Sequence, residues 1–461
     1  MNNRAAWRRA GIVVLLCVSA AFVSPAQTFT TLVYFLGSNG GGPVAPLVQG
    51  IDGELYGTTT QNGSIYYGTV FKTTTAGLLT TLHTFNSTDG ASPTSGLVLD
   101  RGGNFYGTTL WGGTTNNNCS DGCGTIFRIA PGGTLTTLHS FGGSDGYYPY
   151  GGLVQAENGD FYGTTENGGA SFYGTAFQIT PGSALTTLHS FDLTDGGAPV
   201  SGLALDRTGN LYGTTLIGGA YSYGTLFKIT SRGALTTLHS FDYTEGANPG
   251  ARLVQADGNF YGATSSGGVN GYGTVFKMTP AGALTALHSF DYADGKNTAA
   301  GLIQATDGNF YGTAPFGGAY GFGTVFKITP DGVLTVLHSF NGADGEDPAG
   351  GLVQATNGNF YGTTSSGGIS PYGTIFSLSV ELGPFVETLP ASGKVGAAIV
   401  ILGTDLTGAT SVSFNGTAAA FTIVRPSEIK ATVPAGATTG KVQVTTPGGT
   451  LLSNVAFTVR P

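Results

Sequence analysis

One short motif returns along this chain at a nearly fixed interval, and that periodicity constrains the fold more than any other feature. Tyr-Gly-Thr, once Tyr-Gly-Ala, begins at Tyr56, Tyr106, Tyr162, Tyr212, Tyr261, Tyr311 and Tyr361, at intervals of 50, 56, 50, 49, 50 and 50 residues. A second Gly-Thr follows each and opens an apolar run, from Gly68-Thr69-Val70-Phe71 to Gly373-Thr374-Ile375-Phe376. Each unit holds four strand-like runs, as in Gly301–Gln304, Asn309–Thr313, Gly323–Lys327 and Leu334–Phe340. Asp307-Gly308 is a hairpin signal between the first two, and Pro330-Asp331-Gly332 turns the chain between the last two. Four antiparallel strands in about 50 residues describe a propeller blade, whereas β-helix coils are much shorter.

The phase of the repeat predicts how the array ends. Leu-Thr-x-Leu-His-x-Phe starts at Leu79, Leu135, Leu185, Leu235, Leu284 and Leu334, always last in its unit, and the seventh unit lacks it. Its counterpart, Phe29-Thr30-Thr31-Leu32-Val33-Tyr34-Phe35, stands near the start of the chain instead. An N-terminal strand that completes the last sheet leaves no free edge, while an open solenoid would want polar caps. The fold expected is therefore all-β: a closed seven-bladed β-propeller over residues 27–380, with 29–35 beside Gly373–Phe376.

Composition agrees with strands joined by tight turns. Glycine contributes 79 of 461 residues without a triplet period, aromatics are plentiful, and only 10% of residues are charged. That excludes a collagen helix, a disordered chain and long exposed helices. The chain has 18 basic and 26 acidic residues. Without Arg4, Arg8 and Arg9 of the first 26 residues the balance is 15 against 26, a poor polyphosphate binder, so no nucleic-acid partner is expected.

Those three arginines precede an apolar run, Gly11 to Val23, and then Ser24-Pro25-Ala26. The parts are those of a secretory signal peptide, residues 1–26, cleaved after Ala26. No other run is long enough to span a membrane, and a secreted or cell-surface location follows. Cys119 and Cys123 then remain in an oxidising place, where a local disulfide is favoured over free thiols.

With Asn-Phe-Tyr-Gly-Thr-Thr, Tyr-Gly-Thr-Val-Phe-Lys-Ile-Thr-Pro and Leu-His-Ser-Phe recurring in order, the chain resembles the bacterial GloVer-type tandem repeat ("choice-of-anchor") family. The resemblance covers about three quarters of the chain. It implies an exported, surface-associated protein and no particular activity. From residue 381 to 461 the repeat is replaced by period-two alternation with turns every eight to twelve residues, a small β-sandwich. Gly396, Ile399, Ile401 and Gly403, then Val433-Pro434-Ala435-Gly436, resemble the immunoglobulin-like IPT/TIG domain, which implies a spacer or binding module.

Several constellations compete as sites. All six histidines (His83, His139, His189, His239, His288, His338) share one register of the fourth strand, which separates them too widely to hold one ion and favours packing within each unit. Asp89, Asp145, Asp195, Glu245, Asp294 and Asp344 lack the spacing of a calcium loop, so Asx-turns explain them better and no cofactor is expected. Nucleophile-elbow and phosphate-cradle motifs are absent.

Arg252 is a departure, because the same register holds Pro46, Gly96, Gly152, Gly202, Gly301 and Gly351. It begins the innermost strand and should point near the axis. Trp111, Tyr148, Tyr221, Tyr243, Tyr292 and Tyr320 fall in the long loops at one end, where aromatic faces suit sugars. The function expected is non-catalytic recognition of a carbohydrate or other surface polymer by a monomer. Its rivals are a polysaccharide lyase or glycosidase on the same face, which carboxylates beside Arg252 would favour, and a purely structural envelope protein.

Overall fold

The computed structural model describes residues 27–62, 67–298 and 300–461. The signal peptide assigned to residues 1–26 lies outside the described residues. All regular structure described is β, and no helix among these residues is long and apolar enough to cross a membrane.

Each repeat folds into its own four-stranded antiparallel sheet, in sequence order. The second unit is representative: Val98–Leu99, Phe105–Thr109, Thr125–Ile129 and Leu135–Ser140. Phe-Tyr-Gly-Thr-Thr is buried at all five positions because both faces of its strand are covered. The glycine within it makes room: a side-chain carbon on Gly107 would stand 2.6 Å from the Phe127 ring and 2.9 Å from Leu97. The tyrosine reaches the next sheet, so that Tyr106 stacks on Phe161 with centroids 4.1 Å apart, as Tyr56 does on Phe105 at 4.0 Å. Burying a large side chain this way is worth about 1.5–3 kcal/mol, so the stacked pairs hold successive sheets face to face.

The seventh sheet draws its fourth strand from the other end of the chain. Thr28–Tyr34 pairs antiparallel with Thr374–Ser379, Phe29 opposite Leu378 and Tyr34 opposite Thr374. Val33 and Phe35 are buried in a cluster with Leu47, Phe71 and Ile375, which ties the first unit to the last.

At the register of Arg252 the seven units meet. A side-chain carbon on Gly96 would lie 2.9 Å from Pro46, one on Gly152 3.5 Å from the Gly96 carbonyl, and one on Gly202 3.4 Å from Arg252. On Gly301 it would lie 3.6 Å from Arg252, and on Gly351 3.1 Å from the Gly301 carbonyl and 3.9 Å from Pro46. The contacts run through all seven units and return to the first.

The C-terminal segment forms two further sheets around a core of Ile399, Ile401, Val412, Phe414, Ile429, Val442, Val444 and Phe457, a small β-sandwich. It rests on the turns between first and second strands. Ser427 Oγ donates to the Ile51 carbonyl at 2.8 Å, and the Thr356 and Thr404 hydroxyls pair at 2.9 Å. Ser392 and Arg460 both engage Glu157, while Val400 and Leu402 pack against Leu99 and Phe105. The opposite end of the sheets, where the long loops lie, is left uncovered by these contacts.

Candidate functional site

Two kinds of loop build that end, and backbone bridges zip them together. The segment after each fourth strand pairs with the one after the second strand of the next unit: Gly41 with Gln61, Ala91 with Trp111, Tyr147 with Asn167, Gly197 with Ile217, Ala247 with Ser266, Lys296 with Phe316 and Glu346 with Ser366. Behind each bridge stands one residue in the left-handed region, namely Gly42, Ser92, Tyr148, Ala198, Asn248, Asn297 or Asp347, with φ from 51° to 60°. The loops are long yet held by their own backbone hydrogen bonds, so their side chains are presented on a stiff frame.

Tyr320 and Tyr221 are the most open of the sequence-selected aromatics, 63% and 60% exposed, and Tyr243 and Tyr292 follow at 46% and 41%. Tyr243 lies 5.4 Å from Tyr223, and Tyr292 lies 5.9 Å from Tyr272, centroid to centroid. The Lys296 ammonium sits 5.1 Å from the Tyr292 ring centre and 5.6 Å from that of Phe316, a cation–π pair that fixes both rings. Phe172, Ile217 and Phe316 are exposed beside them, although the sequence reading passed over all three. A depression of about 470 Å³ opens between Leu193, Thr194, Ile217, Gly218, Gly219 and Ser222. Trp111 and Tyr148 are half-buried: Tyr148 packs edge-on to Tyr147 at 4.8 Å and against the cluster holding Cys119 and Cys123. These two cysteines are disulfide-bonded, their Cα atoms 5.1 Å apart. The six aromatics therefore do not close around one pocket; four of them spread as an arc over units four to six.

Arg252 stands apart from that arc, within the circuit of glycines. It is open to solvent, yet the surrounding backbone is dense enough that desolvation lowers its pKa. Among the described residues no carboxylate lies within ion-pairing distance of it. Three titratable groups missed by sequence reasoning stand in the loops of this end: Tyr150, Glu166 and Asp347. Burial raises the pKa of all three, and the charges of Glu166 and Asp347 both reach the Tyr150 hydroxyl and raise it further. Asp347 accepts a hydrogen bond from Ser365 Oγ at 2.8 Å. Glu166 follows the second strand of the third unit, and Asp347 precedes the first strand of the seventh.

The histidines are absorbed within their own units. Each pairs through Nε2 with the carboxylate six residues on, five of them at 2.6–3.0 Å and His239 with Glu245 likewise. No three His, Cys, Asp or Glu side chains among the described residues come together as metal ligands.

The Gloeobacter/Verrucomicrobia repeat model matches residues 21–216, 112–306 and 201–418, which together take in most of the chain. The chain belongs to that repeat family. An IPT/TIG domain matches residues 385–459, so the tandem repeat is followed by that module. No curated protein matches the chain. Among solved structures it is similar to an extracellular domain assigned to a one-component system of B. thetaiotaomicron, at 10% identity and a TM-score of 0.49, over 95% of this chain and 58% of that one. It is also similar to PorZ, a surface component of the type-IX secretion system of Porphyromonas gingivalis, at 13% identity and a TM-score of 0.45, over 89% of this chain and 58% of PorZ. A B. thetaiotaomicron protein of unknown function matches at 14% identity and a TM-score of 0.41, over 77% of this chain and 76% of that one. The chain thus spans under two thirds of the length of the first two.

Within the repeat family's pattern the missed residues carried a readable signal. Glu166 stands where the other units have Thr60, Leu110, Leu216, Ser265, Pro315 and Ser365. Asp347 is the one acid among the seven left-handed positions. Comparing every loop register, as was done for Arg252, would have found both.

Proposed function

We propose that this is an exported, monomeric surface protein that binds carbohydrate without transforming it. Residues 27–380 act as a closed seven-bladed propeller and residues 381–461 as the spacer behind it. The circuit of contacts from Pro46 through Gly351 and back, and the N-terminal strand in the seventh sheet, support closure. The observation that carries the function is the exposed aromatic arc of Tyr221, Tyr243, Tyr292, Phe316 and Tyr320 on bridged loops, at the end away from the sandwich. Flat apolar rings flanked by Asn and Asp match the faces and hydroxyls of sugars, and a stiff frame keeps the ordering cost of binding low.

The test is a glycan array with the mature chain and a variant carrying Tyr221→Ala, Tyr243→Ala and Tyr292→Ala. Loss of retention with the melting temperature kept within a few degrees supports the reading. Retention equal to the parent's, or a collapse in stability, returns these rings to a packing role. One observation favours the enzymatic alternative: two loop carboxylates, Glu166 and Asp347, break the repeat, and burial raises the pKa of each. New reducing ends released from a retained glycan would replace binding by hydrolysis or elimination.

A further inference from the structure

We infer that Arg252 receives a carboxylate of the bound saccharide, so that the ligand is an acidic, uronate-bearing glycan. This deepens the carbohydrate reading and rests on it.

Six of seven units place Gly or Pro at the register of Arg252, so this level of the repeat is built without any side chain that could carry charge. Arg252 alone supplies one, and it is a long cation. Its aliphatic stem lies along Gly202 and its Cβ faces Gly301, which accounts for the stem but not for the charge. A guanidinium carries five donors. Among the described residues none of them meets an acceptor within hydrogen-bond distance or a carboxylate within ion-pairing distance. The group is open to solvent and unpaired, so its charge holds no strand or loop in place, and an anion that displaces its water would find every donor of the fork free.

The shape of the group selects which anion. A planar fork of N–H donors fits a carboxylate in two parallel hydrogen bonds. A monoanion of that shape is the carboxylate a uronate carries at C6, and the sugar's ring and hydroxyls remain for the aromatic loops. The sandwich sits at the far end, on Ile51, Glu157 and Thr356, and leaves the loop end as the approach. An oligosaccharide with a carboxylate on one ring and hydroxyls on its neighbours presents both kinds of group.

The experiment measures binding of galacturonate, glucuronate and mannuronate oligosaccharides, each beside its methyl ester, to the mature parent and to Arg252→Gly and Arg252→Gln. Arg252→Gly restores the residue of five other units, so it tests the charge with the least risk to the fold. For at least one sugar the parent should prefer the acid over the ester tenfold or more, and both variants should lose that preference while keeping the parent's ester affinity and melting temperature. No preference for any acid, or an acid preference undiminished in both variants, overturns the assignment while ester binding leaves the aromatic face standing. A parent that retains neither acid, ester nor any neutral glycan overturns both readings together.

Discussion

Phe29 and His338 show how one substitution within a repeat tunes chemistry. In six units the fourth strand begins with leucine, but the N-terminal strand that serves the seventh sheet holds Phe29 at that register. Its ring stacks on His338 with centroids 3.6 Å apart and planes 6° from parallel. Burial lowers the His338 pKa from its usual 6.5, against the opposing pull of Asp344. A histidine depressed in the folded state stabilises fully above pH 6.5, and that contribution is lost as pH falls through the folded value. Asp145 and Asp294 act in the same direction at lower pH. Burial would raise them, but hydrogen bonds from His139 and the Gly142 amide, and from His288 and the Asp291 amide, more than offset it. Their contribution is present above about pH 3.8 and lost below it. We expect Phe29→Ala to move the His338 titration, followed by NMR of the imidazole, back toward 6.5. An unaltered titration would mean that the stacked ring does not set it.

At the scale of the strand, threonine welds one unit to the next. Thr225 Oγ1 donates to the Asp195 carbonyl of the preceding unit at 3.0 Å and pairs with Thr215 Oγ1 at 2.8 Å. The same arrangement joins Thr175 to Asp145 and Thr274 to Glu245. In the sixth unit Ala314 stands opposite Thr324, so that hydroxyl pair is missing. Thr225→Val should cost about 1–3 kcal/mol by leaving buried groups unpaired, and Thr324→Val should cost less. Equal losses in chemical denaturation would remove the hydroxyl pair from the account. These elements were legible in the sequence because the repeat states each strand seven times, and the hairpin signals separate them. The pairing of 29–35 with the last unit was legible from phase alone. Glu166 and Asp347 were not legible as a site, because each is a single acid in a loop register that otherwise varies freely, Thr, Leu, Ser or Pro standing in place of Glu166. The docking of the sandwich had no signal at all: Ser427, Thr404 and Ser392 are single polar residues whose partners on the turns follow no pattern.

The whole molecule gathers its singular features at two ends of a regular body. Turns meet the sandwich at one end, and bridged, aromatic loops face solvent at the other, with Arg252 between them. Regularity holds the frame, and departures from it mark the places where recognition is proposed. If the N-terminal strand closes the body, deleting residues 27–36 exposes the edge of Thr374–Ser379 and empties the cluster around Val33 and Phe35. The truncated chain should melt at least several degrees lower, in a single transition for the repeat region. An unchanged melting temperature would show that the seventh sheet is complete without it.

Hydroxyl-radical footprinting of the parent, with and without the glycan it retains most tightly, tests the central claim most directly. The account predicts protection of Tyr221, Tyr243, Tyr292 and Tyr320 on the loop end, with no change at Val424 and Leu452 on the sandwich. Protection confined to the sandwich, or spread evenly over both, would contradict it.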